Sequence, residues 1–340
     1  MFELKLKLQR SLIQRKLRKN QERVSSQVTE SNLGKVILTS SLKLLLLSFF
    51  GVVILFPFIY MISISFMNDS EAASLKTEFR FFPSFSEGVT YLNGGFVTKP
   101  WSEVVANTYA RAFATGYWSA ITLTLLNVVI SVSLKVIITF LMGYAFSLRN
   151  WRGKGLIWFL ALALLVLPEV ALLAGQYQVV VDTGLAKTYG KFLFAVALPF
   201  TASVFNTIMY KNAFEAIPGR IKEVSLVDGA GGWKYLVKVA FPMVMPTTLT
   251  ICILTALASW NSYLWPSLIS TISDQKLDVV SVWLFRAGIN PDDPESGANT
   301  LQNVKLAASL LVILPMFIVY LLARKRIMAA ISRQGSTIKG

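Results

Sequence analysis

The chain is 340 residues long, 54% hydrophobic and only 15% charged, with 33 Lys and Arg against 18 Asp and Glu for a net charge of +15. A soluble globular domain carries roughly 25% charged residues, so this composition points to a membrane. The absence of His removes His-based metal sites, His proton relays and Ser–His catalysis, and the single Cys252 removes a disulfide framework.

In chain order, residues 1–38 form a basic segment with Leu4, Leu8 and Leu12 at helical spacing and Leu17 beyond them. It reads either as an amphipathic helix on an anionic leaflet or as a basic tail. About 40 polar and basic residues ahead of the first long apolar run do not make a cleavable signal peptide. Six apolar runs follow, at 42–65, 118–146, 156–174, 192–210, 243–265 and 304–323. Each reaches the roughly 18 residues needed to cross hydrocarbon, and none alternates with the period of a barrel strand. The expected fold is an all-α polytopic membrane protein of six transmembrane helices. One membrane domain spans 39–328, with a tail at 329–340. Pro57 is expected to kink the first span near its end.

Charge sets the orientation. With the N-terminus inside, segments 1–43, 147–155, 211–241 and 324–340 hold 10, 3, 5 and 5 Lys and Arg, against 4, 2 and 2 in 66–117, 175–191 and 266–303. That excess gives an N-in, C-in topology and explains the net charge without a nucleic-acid partner. The outside segment 66–117 is long, aromatic and marked by turn signals at Pro83, Asn93-Gly94-Gly95 and Pro100. Trp101, Tyr109, Tyr117 and Trp118 read equally as interfacial anchors or ligand contacts.

The inside segment 211–242 is the most patterned part of the chain. Pro218 suits a helix start, Gly219 to Asp228 form a short helix, and Gly229 suits a left-handed C-cap. Ser225 adds little bulk where a partner approaches, and Glu223 offers a charge to pair across the contact. Gly231 and Gly232 allow a reversal, and Pro242 opens the next span. Such a helix between two spans is a lever: a partner gripping it tilts both.

The spacing Glu223-Val224-Ser225, three residues, Gly229, nine residues, Val239-Ala240-Phe241-Pro242 resembles the EAA loop of permease subunits of ATP-binding-cassette importers. Further segments resemble the carbohydrate branch, of maltose and glycerol-3-phosphate type. They are Gly143-Tyr144-Ala145 with its basic turn, Trp260-Asn261-Ser262-Tyr263-Leu264-Trp265-Pro266, and the ending Ser332–Gly340. The resemblance implies a type I importer transmembrane domain in a prokaryotic inner membrane. It implies Glu223, Ser225, Asp228, Gly229, Ala230 and Pro242 as the ATPase-coupling residues. It also implies a second related permease, two ATPase subunits and an extracytoplasmic solute-binding protein as partners. No GxxxxGK[ST] phosphate loop occurs here, so ATP and Mg belong to the ATPases, and this chain is expected to hold no cofactor, metal or catalytic residue.

Polar residues within spans are the candidates for a substrate pathway: Lys135, Asn127, Asn206, Trp260, Asn261 and Tyr263. Lys135 reads as an anion or hydroxyl contact, or as a pair to a partner subunit or nearby carbonyl. The asparagines read as sugar contacts or as interhelical glue. Glu169, beside Pro168, is assigned to a binding-protein interface or a helix end. The rival reading, an ion-coupled secondary transporter, wants acidic groups inside spans, and only Glu169 comes near.

Overall fold

The computed structural model describes residues 33–92, 94–114, 116–148, 151–275, 277–289 and 300–336. The Leu4–Leu8–Leu12 helix, Arg149 of the basic turn and the last four residues of the Ser332–Gly340 ending lie outside them. Three described helices are long and apolar enough to cross a bilayer: α1 (Leu33–Ser65), α4 (Tyr117–Ser147) and the first 21 residues of α14 (Gln302–Ser336). Three bent helix pairs qualify jointly, which makes up to six crossings by length and composition.

The bends have identifiable causes. The first pair turns by 104° between α5 (Lys154–Ala163, with a 3₁₀ turn Leu164–Val166) and α6 (Glu169–Thr183). Pro168 forces Leu167 into an extended conformation (ψ 126°), which ends the helix. The second turns by 61° between α7 (Tyr189–Ala197, with a 3₁₀ turn Leu198–Phe200) and α8 (Val204–Glu215). There Pro199 removes a donor, and the Ser203 hydroxyl restarts the helix by accepting from the Asn206 amide. The third turns by 73° between α10 (Gly232–Met243, containing a π turn Leu236–Ala240) and α11 (Met245–Trp260). Pro242 and Pro246 lie four apart, so Pro246 has no N–H to offer the Pro242 carbonyl. Between α8 and α10 lies α9 (Gly219–Val227); α12 (Leu264–Ser270) and α13 (Val280–Arg286) precede α14. By contrast, α1 continues through Pro57 as one helix.

The chain divides within α1 into two compact units, Met1–Ile59 and Tyr60–Gly340. In the first, the described residues are an apolar helix exposed along its length. In the second, α4 is central and packs against α7, α8, α11 and α13. At Gly143 the approach of α8 is closest: a Cβ there would stand 2.4 Å from the Tyr210 Cβ. Any larger residue would push the helices apart.

The segment after α1 corrects the all-α expectation. It contains α2 (Asp69–Ser74), a hairpin of β1 (Gly88–Leu92) and β2 (Gly95–Lys99) with Leu92 opposite Gly95, and α3 (Trp101–Ala114). Gly94, just before β2, holds a left-handed φ of 86° that glycine adopts at no steric cost, and the flanking GVTYL and GFVTK runs suit strands. A buried carboxylate anchors the hairpin. Asp69 accepts from both terminal nitrogens of Arg111 (2.8 and 3.0 Å), from the Tyr91 amide (2.7 Å) and from Asn303 Nδ2 of α14 (2.6 Å). Asn68 caps α2 in a complete capping box with Glu71. Tyr117 is buried and donates to the Leu311 carbonyl, and Trp101 donates to the Phe66 carbonyl, whereas Trp118 is exposed.

Candidate functional site: the coupling helix and the polar interior

The sequence of α9 specifies both of its ends. Pro218 is the N-cap, one position earlier than a first-turn proline, and its carbonyl accepts from Ile221 N–H at 3.0 Å. At the other end the Ala230 amide donates to the Ser225 carbonyl (2.8 Å) and the Gly229 amide to the Leu226 carbonyl (3.1 Å). This crossed pair is a Schellman motif, and Gly229 adopts the left-handed φ of 69° that it requires.

The closed helix is largely exposed. Glu223, Asp228, Gly229 and Pro242 are exposed and Ala230 is half-buried. Ser225 is buried, and its hydroxyl donates to the Lys222 carbonyl at 2.8 Å. Beside these polar groups the loop also exposes apolar residues that the spacing alone does not single out: Val224, Leu226 and Val227 (88% exposed) on α9 and Trp233 on α10. Leaving such side chains in water costs up to about 2 kcal/mol each relative to burial, so the loop has the character of a contact surface. Arg220, Ile221, Val224, Ser225, Asp228 and Val239 line a depression of about 380 Å³ beside it.

Both limbs of this loop are rooted in one aromatic core. Phe140 of α4, Tyr210 and Phe214 of α8, Tyr235, Leu236 and Ala240 of α10, and Ile251 of α11 are buried together. Phe140 lies 5.2 Å from Phe214 and 5.5 Å from both Tyr210 and Phe241, ring centre to ring centre. Such contacts add about 0.5–1.5 kcal/mol each to simple burial.

None of the six polar pathway candidates lines the depression beside α9, and each has its own setting. Asn127 is fully buried and donates to Ser259 Oγ of α11 at 2.9 Å, with Ser131 at 3.4 Å from both, which ties α4 to α11. Trp260 is buried in the core with Tyr117, Val280 and Trp283. Asn261 caps the end of α11, where its amide donates to the Leu257 carbonyl. Tyr263 is exposed and packs on Phe285 at 4.2 Å. Asn206 is buried in the first turn of α8. Lys135 is buried, with Nζ 5.8 Å from the centre of the Phe200 ring at the break between α7 and α8. A mostly apolar cavity of about 410 Å³ lies close in sequence to that break, lined by Gln176, Val179, Leu198, Pro199 and Trp265 among others. Among the described residues no cluster of acidic or sulfur ligands suits a metal.

Interrupted apolar helices packed around α4, with a capped helix between two of the bent pairs, describe a polytopic helical membrane protein. The chain belongs to the family of binding-protein-dependent transport system inner membrane components, whose sequence pattern matches residues 135–333. A probable ABC transporter permease protein of Mycoplasma genitalium is 38% identical over 91% of this chain and 92% of the relative. A melibiose/raffinose/stachyose import permease protein of Bacillus subtilis is 28% identical over 62% of this chain and 72% of the relative. Among solved structures, a bacterial ABC transporter involved in the import of the acidic polysaccharide alginate matches with a TM-score of 0.66 over 88% of this chain and 99% of the matched chain. At 22% identity that likeness speaks for the fold alone.

Proposed function

We propose that the chain forms half of the translocation pathway of an ATP-driven, binding-protein-dependent importer of sugars or oligosaccharides in a prokaryotic cell membrane. It crosses the membrane six times with both termini inside. It works beside a second, related permease, and a solute-binding protein delivers the cargo. The observation that carries this reading is the largely exposed α9, closed by its Schellman cap between the bent pairs α7–α8 and α10–α11. In this role Glu223, Asp228 and the exposed Val224 and Val227 meet a groove on one of two ATPases, where ATP and Mg are bound. Closure of the ATPases moves α9, and the spans rooted in its aromatic core follow. The cargo class is supported by the oligosaccharide importer among the relatives.

The test is assembly and energy source. Glu223→Ala and Gly229→Trp are expected to lose co-purification with the ATPase while the permease stays in the membrane. Uptake that persists in sealed vesicles on an ion gradient without ATP would overturn the reading in favour of a secondary transporter.

A further inference from the structure

Between α2 and β1 the chain runs Phe79-Arg80-Phe81-Phe82-Pro83-Ser84-Phe85, and three of its polar groups are tied to neighbouring elements. Arg80 pairs with Glu71 at 2.7 Å, the Ser84 amide donates to the same carboxylate at 3.1 Å, and the Phe81 carbonyl accepts from the Ser63 hydroxyl. Tyr60, in the last turns of α1, stacks with both the Phe79 and the Phe81 rings, at 5.5 and 5.8 Å. Phe81 in turn meets Phe82 edge-on at 4.6 Å. These ties fix a short loop against the end of an apolar helix and leave its rings outside: Phe79 is 73% exposed, Phe82 64% and Phe85 60%. Phe85 also holds a positive φ of 54°, which is strained for an aromatic residue and persists only where the surroundings enforce it.

We infer that residues 79–85 are an aromatic foot seated in the bilayer interface at the C-terminal end of α1, in the outer leaflet of the proposed topology. A loop held by an ion pair, two further hydrogen bonds and two ring stacks does not leave three Phe rings in water by chance. Its occupant follows from where it is fastened: Tyr60 lies on a helix long and apolar enough to cross hydrocarbon, five residues before that helix's last residue. The level is therefore the boundary between acyl chains and headgroups, where apolar rings sit about 5–10 Å deep. Trp118, exposed in the first turn of α4, gives a second aromatic anchor at a span end. The foot holds the end of α1 at a fixed depth while the spans beyond it move. The inference rests on α1 being a membrane span.

The experiment places single nitroxide labels on the assembled transporter in phosphatidylcholine–phosphatidylglycerol nanodiscs. The background is Cys252→Ser, which removes the one native thiol. Labels go at Phe79→Cys, Phe82→Cys, Glu87→Cys and Leu47→Cys, and collision with oxygen is compared with collision with a water-soluble nickel chelate. At 79 and 82 the oxygen-to-nickel ratio is expected to lie well above that at the exposed Glu87 and to approach that at Leu47 within α1. A high ratio at 47 with a Glu87-like ratio at 79 and 82 overturns the foot and leaves the span reading intact. A low ratio at 47 overturns the span reading itself. Shielding of 79 and 82 that arises only on adding the solute-binding protein makes the patch a protein interface and also overturns the foot.

Discussion

The Tyr210 hydroxyl donates to Thr248 Oγ1 at 2.9 Å, which joins the helix that enters the coupling loop to the one that leaves it. Thr248 in turn donates to the Val244 carbonyl at the 73° bend. Removing the Tyr210 hydroxyl therefore strands no buried donor, and Tyr210→Phe is a clean deletion worth about 1 kcal/mol. If the two limbs move as one body through this tie, Tyr210→Phe should keep assembly and ATP hydrolysis while lowering substrate transported per ATP. Gly143→Ala, which presses on Tyr210 from α4, should act in the same direction. An unchanged transport-to-hydrolysis ratio in both variants would show that the limbs are coupled elsewhere.

At Gly229 strain and obstruction can be separated. Its φ of 69° disfavours any side chain by about 1–2 kcal/mol, yet a Cβ there meets nothing within 4 Å. Gly229→Ala should thus impose strain alone, and Gly229→Asn less than that, because Asn tolerates the left-handed region. Gly229→Trp adds bulk pointing into the open space where the ATPase is proposed to dock. Pull-down of the ATPase should rank glycine, then Asn, then Ala, then Trp. Equal binding by Ala and Trp would mean that the space in front of Gly229 stays empty in the complex.

Local chemistry made some of this legible in advance, and tertiary context withheld the rest. Pro218 and Gly229 carry their own backbone instructions, so both ends of α9 were readable to within a residue. The apolar runs were visible because six stretches of that length have little use in water. Their breaks at Leu167-Pro168 and Pro199 are less legible, since a proline inside a membrane helix announces a lost donor but not the angle that follows. The inward turn of Ser225 was hidden: a small residue suits close approach on either face, and only packing decides which. The same holds for Asn127 and Trp260, which the fold spends on helix contacts. The clamp on Asp69 joins residues separated by as much as 234 positions, so no window of sequence contains it.

That clamp predicts a large stability effect far from the coupling loop. Asp69 and Arg111 are both sheltered, with side-chain exposures of 2% and 18%. Asp69→Ala leaves the Arg111 charge without its carboxylate and the Tyr91 amide without an acceptor. Breaking a buried pair from one side costs about 3–5 kcal/mol. Thermal unfolding of the purified complex should fall sharply, with faster amide exchange along β1. Pairing Asp69→Ala with Arg111→Met should recover part of the loss, because no uncompensated charge remains. A double variant as unstable as the sum of the singles would argue that the pair's geometry matters more than its charge.

Asp278, in the connection between α12 and α13, makes the pH dependence testable. Burial pushes its carboxyl above the ordinary value of 3.8, against the opposing pull of Arg286 and of the Ser270 hydroxyl. The Arg286 guanidinium stands 2.6 Å from Oδ2, but its own side chain is half exposed, and such pairs contribute only about 0–1 kcal/mol. With the folded value above the unfolded one, the folded state keeps its proton longer. The stability this gives is fully present below 3.8 and is lost as the pH rises through the folded value, so at neutral pH the ionised group works against folding. Asp278→Asn has no proton to lose. Its melting temperature should match that of the unmodified protein in acid and exceed it near neutrality, with the gap opening as Asp278 ionises. A variant that melts lower at neutral pH would mean that attraction to Arg286 outweighs the cost of burial.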